Sequence, residues 1–359
     1  MNVNASERLI SPTDPMLRYT GRIGMEDPEN PFFVYVCSSV QLRVAGKTLR
    51  VFLTNQHSYF ENLLGVIVNG EQSAVRLENG AQVIDLSDKL TADVNDVLLF
   101  KRQDCCHAFT LQGFAVDADA VLMPLPERPA RRIEVYGDSV SAGEVSEAEF
   151  ACAQPDPEGH NGLYSNGYLS YAWQAARLLN AELHDVATGG IALLDGTGYF
   201  FGPDCIGMES CWDKVNYYPP FGPATTWDFT RFTPHVVVVA IGQNDHNPVN
   251  VMAEDYDSAA SQHWRAEYCR FLGRLRETYP HAHIVCTTTI LGHDPAWDRA
   301  IDECVTAMAD GRIHHFLYTK NGCGTPGHIR GSEAAVMAQE LAGFIEVLPG
   351  VWEESFVEK

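Results

Sequence analysis

A serine that directly follows a short apolar strand is the residue of this 359-residue chain with the clearest capacity for chemistry. Residues 135–143 read Val-Tyr-Gly-Asp-Ser-Val-Ser-Ala-Gly, and the pattern predicts a strand that turns at Gly137 into the start of a helix. Such a turn holds the hydroxyl of Ser139 at the carboxyl edge of a sheet, beside free backbone N–H groups. Because Gly-Asp-Ser turns are also common in ordinary loops, the motif alone does not establish a nucleophile.

Three further segments carry residues that could complete a hydrolytic site. Residues 234–245 contain an unbroken apolar run that stops at Gly-Gln-Asn-Asp, which is typical of a central parallel strand and places Asn244 beyond its carboxyl end. Another strand, predicted over residues 183–187, is followed by glycines that include Gly190, whose backbone N–H a ligand can approach closely. His328 lies in a glycine-rich loop before an amphipathic helix, and histidine is the usual base for a serine nucleophile. Each segment alone also fits a turn, a helix cap or a surface histidine, and only their combination predicts catalysis.

Taken in chain order, these residues resemble the signature of the SGNH, or GDSL-type, hydrolases over about residues 130–350. The signature positions are matched by Ser139, Gly190 (with Gly189 as the alternative glycine), Asn244 and His328. The resemblance implies that Ser139 is the nucleophile and that His328 is its base. It also implies an oxyanion hole formed by the backbone N–H groups of Ser139 and Gly190 and by the side chain of Asn244.

Two stretches narrow the resemblance to carbohydrate esterase family 2. They are residues 19–23, Tyr-Thr-Gly-Arg-Ile, and residues 227–245, Trp-Asp-Phe-Thr-Arg-Phe-Thr-Pro-His-Val-Val-Val-Val-Ala-Ile-Gly-Gln-Asn-Asp. That family places a β-sandwich (jelly-roll) domain before the SGNH domain and removes O-acetyl groups from plant polysaccharides. The resemblance therefore implies a two-domain acetylesterase.

The chain departs from the wider family at the position of the carboxylate that orients the histidine. SGNH hydrolases usually carry Asp two or three residues before the histidine, where this chain has Pro326 and Thr325. Some family-2 esterases work with a Ser-His dyad. We predict that arrangement here, with a main-chain carbonyl near residues 324–326 accepting a hydrogen bond from Nδ1–H of His328. The alternative is a carboxylate from elsewhere in the chain, for which the candidates are Glu333, Asp294 and Asp298.

The predicted elements change in character at a proline-rich linker over residues 123–130. Residues 18–122 contain many short strands separated by turns, which is typical of an all-β sandwich. After the linker, strands alternate with helices, which predicts an α/β fold with a parallel sheet covered on both faces. We therefore expect two domains, a jelly roll over 1–125 and a three-layer α/β/α SGNH domain over 126–359. Residues 1–17 are predicted to form a flexible or docking arm.

The composition argues against several other classes of protein. A formal net charge of −22 disfavours nucleic acid and anionic membrane surfaces as partners, and no apolar run is long enough for a membrane span. The sequence has no HExxH, CxxC or similar ligand cluster, so neither a metal nor another cofactor is expected. The ten cysteines are interpreted as reduced thiols, and the first 20 residues lack a secretory pattern. Together these features predict a cytoplasmic protein, or a secreted one if a leader has been removed.

Aromatic residues are concentrated in residues 195–232, a segment without clear periodicity. Flat rings can pack on sugar faces, so this segment could form one wall of a sugar pocket. The tryptophans that we assign to substrate binding are Trp212, Trp227 and Trp297. The alternative is that such rings seal an interface between domains or subunits.

The function predicted from these residues is that of a serine esterase, which is a carboxylic ester hydrolase. It would remove O-acetyl groups from hemicellulose oligosaccharides of the xylan or mannan type through an acetyl-enzyme intermediate. The expected partner is the acetylated oligosaccharide, and a homo-oligomer is left open. The alternatives are a lipase-like or thioester-cleaving SGNH enzyme and a carbohydrate-binding protein whose active site has decayed.

Overall fold

The computed structural model of this protein describes residues 4–353, and the chain divides into two compact units. The N-terminal unit extends to Arg128 and also contains residues 161–163 and 215–225, whereas the other residues form the C-terminal unit. The N-terminal unit thus runs past the predicted boundary between 125 and 126, and no sequence pattern indicates that it includes the two short segments. No helix within residues 4–353 combines the length and the apolar character that crossing a bilayer requires.

The N-terminal unit contains two antiparallel sheets of six strands each. Its strands are β1 (Glu7–Ile10), β2 (Arg18–Thr20), β3 (Ile23–Gly24), β4 (Phe32–Phe33), β5 (Ser39–Ala45), β6 (Leu49–His57), β7 (Asn62–Val68), β8 (Glu71–Leu77), β9 (Gly80–Asp85), β10 (Asn95–Lys101), β11 (His107–Asp117) and β12 (Val121–Met123). One sheet has the order β3-β4-β11-β6-β9, with β1 paired to β11. The other has the order β12-β5-β10-β7-β8, with β2 paired to β5.

The core of this unit lies between its two sheets. Alternate residues of β5, namely Val40, Leu42 and Val44, are buried. They belong to the same apolar cluster as Phe109 and Leu111 of β11 in the other sheet. Because side chains alternate between the two faces of a strand, this period of two buries one face of each sheet against the other.

Of the two alternatives predicted for residues 1–17, a flexible or a docking arm, the flexible arm is wrong for residues 7–10. Glu7–Ile10 forms β1, which pairs antiparallel with residues 114–117 of β11. Glu7 also forms an ion pair with Arg50. Residues 1–3 lie outside the described residues.

The C-terminal unit contains a five-stranded parallel sheet flanked by helices. Its strands are β13 (Arg131–Gly137), β14 (Ala181–Ala187), β17 (Val236–Ala240), β18 (His283–Thr287) and β19 (Ile313–His315). Two further strands, β15 (Lys214–Asn216) and β16 (Thr225–Thr226), form a separate two-stranded sheet, most of whose residues belong to the N-terminal unit. The helices are α1 (Ser139–Ala142), α2 (Tyr171–Leu178), α3 (Met208–Cys211), α4 (Val251–Glu254), α5 (Ala259–Thr278), α6 (Pro295–Met308) and α7 (Gly331–Glu346). Helix α2 packs against α7, and α5 packs against α6. The predicted fold class, an all-β sandwich followed by an α/β/α unit with a parallel sheet, is confirmed.

The strand order β14-β13-β17-β18-β19 creates a topological switch point at β13. This strand pairs with β14 on one side and with β17 on the other. In open parallel sheets, ligands bind in the crevice outside the carboxyl ends of the strands at such a point. Because β13 ends at Gly137 and β17 ends at Ala240, the residues that follow them, Ser139 and Asn244, belong to this edge.

Candidate active site

Ser139 is held on a tight turn between β13 and α1. The side chain of Asp138 caps the helix and accepts a hydrogen bond of 3.0 Å from the backbone N–H of Val140. Gly143 ends the helix in a left-handed conformation. A short helix that is capped at both ends fixes the position of its first residue, and Ser139 is buried except for 5% of its surface.

The structure brings the predicted nucleophile and the predicted base into direct contact. Nε2 of His328 lies 2.8 Å from Oγ of Ser139, although the two residues are 189 positions apart in the chain. His328 occupies the loop directly before α7, which begins at Gly331. This contact is the one through which a hydroxyl proton can pass to the imidazole.

The carboxylate that orients His328 is Asp156, so the predicted Ser-His dyad is wrong. Oδ2 of Asp156 lies 2.5 Å from Nδ1 of His328, at the nitrogen for which a main-chain carbonyl was expected. Oδ1 of Asp156 accepts hydrogen bonds of 2.9 Å from the backbone N–H of His328 and from Nη1 of Arg330. Arg330 is fully buried. The site is therefore a Ser-His-Asp triad whose aspartate comes from the loop between α1 and α2.

The three alternative carboxylates are all engaged elsewhere. Glu333 accepts from the backbone N–H of Arg330 and closes the capping box of α7. Asp294 caps α6 by accepting from the backbone N–H of Ala296. Asp298 lies 3.2 Å from Nε2 of His293, with which it forms an ion pair.

The loop that carries Asp156 reaches the histidine because Gly327 has no side chain. A Cβ atom at Gly327 would lie 2.6 Å from the carbonyl oxygen of Gln154 and 2.9 Å from the backbone nitrogen of Asp156. Both distances are too short for a carbon atom, so only glycine allows the two segments to pack this closely. No spacing rule links residues 172 positions apart, and a glycine beside the histidine is a weak signal on its own.

The charges around His328 favour its protonated form. Burial of the ring opposes protonation, but the carboxylates of Glu144, Asp156 and Asp138 outweigh it and raise the pKa of His328 to about 9. For Asp156, burial opposes ionisation, but hydrogen bonds from His328 and Arg330 hold its pKa well below the usual value. Asp156 is therefore ionised at neutral pH.

Asn244 connects the nucleophile turn to the glycine segment. Its Nδ2 group donates to Oδ2 of Asp138 at 3.1 Å and to the carbonyl oxygen of Ile191 at 3.0 Å. Gly190, which has a φ of +75°, accepts a hydrogen bond from the backbone N–H of Tyr199. The amide of Asn244 thus holds the segment around Gly190 beside the turn of Ser139. Because Nδ2 of Asn244 already donates to Asp138 and to Ile191, it must share one of these two hydrogen bonds in order to donate to an oxyanion.

The predicted substrate-binding role of two tryptophans is wrong because their rings are buried. Trp297 has no exposed surface and donates from Nε1 to Oδ1 of Asn250 at 3.0 Å. Trp227 is 3% exposed, and its ring lies against His184. Trp212 is partly exposed and packs on Phe229 and Phe271, so its contribution to binding stays a prediction.

An exposed ring beside the candidate oxyanion segment belongs instead to Tyr199. This side chain is 53% exposed, and a Cβ atom at Gly190 would lie 2.8 Å from the Cβ of Tyr199. Its hydroxyl lies 2.9 Å from Nε2 of His246. Tyr199 lies within the aromatic segment noted in the sequence, but composition could not show which ring of that segment faces solvent.

Ser139 lies at the carboxyl edge of a parallel sheet and contacts the imidazole of His328, which forms an ion pair with Asp156. This is the arrangement of an SGNH-type hydrolase. Comparison with known sequences is consistent with this class. Residues 19–126 match the family described as carbohydrate esterase 2 N-terminal. Cellulase/esterase CelE of Acetivibrio thermocellus is 27% identical over 293 residues, which are 81% of this chain. The chain spans only 33% of the length of CelE.

Two further matches extend over most of this chain and over most of the protein compared with it. The acetylxylan esterase / glucomannan deacetylase of Cellvibrio japonicus is 26% identical over 347 residues, which cover 94% of this chain and 90% of that protein. The solved structure of a family two carbohydrate esterase from Cellvibrio japonicus has a TM-score of 0.78 and 24% identity, and covers 97% of this chain and 98% of that chain. The structural likeness supports the fold, and together the matches confirm the predicted resemblance to carbohydrate esterase family 2.

Proposed function

We propose that this protein is a serine esterase that removes O-acetyl groups from acetylated hemicellulose oligosaccharides of the xylan or mannan type. The observation that carries the proposal is the 2.8 Å contact between Oγ of Ser139 and Nε2 of His328 at the carboxyl edge of the parallel sheet. An alcohol in this contact can give its proton to the imidazole while it attacks an ester carbonyl. Asp156 orients the imidazole of His328, the role that we predicted from the sequence for a main-chain carbonyl.

In the first step, Oγ of Ser139 forms a bond to the acetyl carbonyl carbon while Nε2 of His328 accepts the hydroxyl proton. The carbonyl oxygen becomes an oxyanion, for which the proposed donors are the backbone N–H groups of Ser139 and Gly190 and the side chain of Asn244. When this intermediate collapses, the bond from the carbonyl carbon to the sugar oxygen breaks. His328 then gives its proton to the departing sugar oxygen, which leaves as a hydroxyl group, and Ser139 is left acetylated.

In the second step, water replaces the sugar. His328 accepts a proton from the water as the water oxygen bonds to the acetyl carbon, and the bond to Oγ of Ser139 then breaks. Oγ recovers the proton from His328, and acetate leaves. Because the pKa of Asp156 is held well below its usual value, this carboxylate stays ionised and stabilises the imidazolium in both steps.

Three observations support a neutral acetylated sugar as the substrate. The relative from Cellvibrio japonicus is named an acetylxylan esterase / glucomannan deacetylase. A chain with a net charge of −22 repels polyanions but not neutral oligosaccharides. The exposed ring of Tyr199 lies beside Gly190, where it can pack on the face of a sugar whose acetyl group reaches Ser139.

Acetate release is the direct test of this function. We expect NMR to detect free acetate when the protein is incubated with acetylated xylo-oligosaccharides or acetylated manno-oligosaccharides. We also expect p-nitrophenyl acetate to be cleaved faster than p-nitrophenyl octanoate. Preference for the octanoate ester would point to the lipase-like alternative. Absence of any ester cleavage, combined with binding of the oligosaccharides, would point to a decayed carbohydrate-binding protein.

Replacing Asn244 with alanine is expected to lower kcat roughly 100–1000-fold, because it removes one donor of the proposed oxyanion hole. The same change removes the hydrogen bonds to Asp138 and Ile191, so the free energy of unfolding should also fall by about 1–3 kcal/mol. Steady-state kinetics on p-nitrophenyl acetate and urea unfolding measure the two effects separately. A variant with reduced stability and unchanged kcat would show that Asn244 is only structural.

A further inference from the structure

The catalytic imidazole has a second acidic neighbour, on the side away from Asp156. Oε2 of Glu144 lies 3.7 Å from Nε2 of His328, the same nitrogen that contacts Ser139. The backbone N–H of Glu144 donates to the carbonyl oxygen of Ser139 at 2.9 Å, which fixes Glu144 to the nucleophile turn. Its side chain is 21% exposed, so solvent screens this charge only in part.

Carboxylates outnumber cations around this ring. The groups that face His328 are Glu144 after α1, Asp138 at the cap of α1, Asp156 in the loop before α2, Arg330 on the segment of His328 itself, and His160. Arg330 is ion-paired with Asp156, so its positive charge is shared with that carboxylate. Burial is the main reason that the pKa of His160 is lowered, which keeps this second ring neutral near pH 7. Glu144 is thus the acidic group that acts at Nε2, where the proton moves.

We propose that Glu144 is a positioning residue that stabilises the imidazolium of His328 from the Nε2 side, so that one carboxylate acts at each ring nitrogen. This inference rests on the proposed esterase function. The proton that leaves Oγ of Ser139 arrives at Nε2, beside Glu144. The charge that develops during attack therefore lies between two carboxylates, and Glu144 lowers the energy of that state.

The carboxylate of Glu144 also raises the pH at which the enzyme becomes active. His328 must be neutral to accept a proton, and the surrounding carboxylates raise its pKa to about 9, with Glu144 the largest of the charges that do so. Activity should therefore rise as the pH increases through this value. Asp138, whose pKa burial raises to about 6, is already ionised there and does not produce this rise. Removing the charge of Glu144 lowers the pKa of His328 and moves the rising limb to lower pH.

The pH dependence of kcat/KM for p-nitrophenyl acetate tests this role with the variants Glu144→Gln and Glu158→Gln. In Glu144→Gln, we expect the rising limb to move down by about 1–3 pH units. Each unit raises the neutral fraction of His328 at pH 7 about tenfold. At the alkaline plateau, the variant should be slower than the wild type because it stabilises the imidazolium less. The control residue Glu158 is exposed and lies in the loop of Asp156, so its replacement should leave the profile unchanged.

An NMR titration of the His328 ring makes the test independent of catalysis. We would compare Ser139→Ala with the double variant Ser139→Ala/Glu144→Gln, and we expect the ring to titrate at lower pH in the double variant. If the wild type shows no esterase activity, the proposed function fails, but the titration still decides the role of Glu144. Titration curves that agree within about 0.3 unit would overturn the inference, and so would a Glu144→Gln profile that is lower at every pH without a shift. Glu144→Ala serves as the second neutral variant if Glu144→Gln does not fold.

Discussion

Replacing Ser139 with alanine is expected to lower kcat for acetyl ester hydrolysis by about 10⁶-fold, the loss that follows removal of the nucleophile from a working triad. Oγ of Ser139 is the atom in contact with Nε2 of His328, and alanine leaves no atom there that can form an acyl-enzyme. Donors near the site would still bind the ester, so a small residual rate above that of water should persist. Acetate release followed by NMR over long incubations measures a loss of this size.

The matched control for this prediction is Ser141→Ala, which removes a neighbouring buried hydroxyl. Oγ of Ser141 lies 2.7 Å from the hydroxyl of Tyr171 and not at His328. Its loss should reduce the free energy of unfolding by about 1 kcal/mol and leave kcat within about tenfold of the wild type. A Ser139→Ala protein that is as active as Ser141→Ala would mean that ester cleavage takes place elsewhere on the molecule.

The parts of the site that could be predicted from the sequence are those fixed by one local pattern. An unbroken run of valines forms a strand buried on both faces, and β17 is fully buried from Val236 to Ala240. The end of that strand places Asn244 at the carboxyl edge of the sheet, and the Gly-Asp-Ser turn places Ser139 on the neighbouring strand end. Two strand ends at the carboxyl edge therefore indicate the site, whereas the pairing of β13 with β17 that brings them together is known only from the structure.

The position of Asp156 could not be predicted, because it depends on how two loops pack. Three conditions place Asp156 at Nδ1 of His328: a loop long enough to return to the sheet edge, the absence of a side chain at Gly327, and a buried guanidinium at Arg330 that neutralises the carboxylate. Gly327 and Arg330 lie next to the histidine in the sequence but do not indicate which carboxylate they will meet, and the loop of Asp156 is 172 positions away. Because Thr325 and Pro326 stand where SGNH hydrolases usually carry the aspartate, the sequence alone favours the main chain as the group that orients His328.

The tryptophans failed as predictions for a different reason. An aromatic ring is equally suited to a core and to a sugar-binding wall, and only its surroundings decide which it becomes. Trp297 packs on Trp264, which lies on the neighbouring helix, whereas Tyr199 beside Gly190 is exposed. The type of residue therefore does not predict which ring of this segment faces solvent.

Replacing Asp156 with asparagine is expected to lower kcat by about 10⁴-fold, the second largest loss at this site. Asparagine keeps the shape of the side chain, but if its amide faces Nδ1 it favours the tautomer in which Nε2 carries the proton. That nitrogen then cannot accept the proton of Ser139. The loss should persist at the alkaline plateau, unlike the pH-dependent change expected for Glu144→Gln. Kinetics of acetate release from pH 6 to 10 would distinguish the two.

The control for Asp156→Asn is the same change at Asp294. Asp294 caps α6 through Ala296, and asparagine caps a helix as well as aspartate does, so both stability and kcat should stay close to those of the wild type. Asp156→Asn should also lose about 1–3 kcal/mol of stability, because buried Arg330 loses its charged partner. If Asp156→Asn folds and its kcat stays within about tenfold of the wild type, the carboxylate is not needed for catalysis, and a Ser-His dyad would describe the mechanism after all.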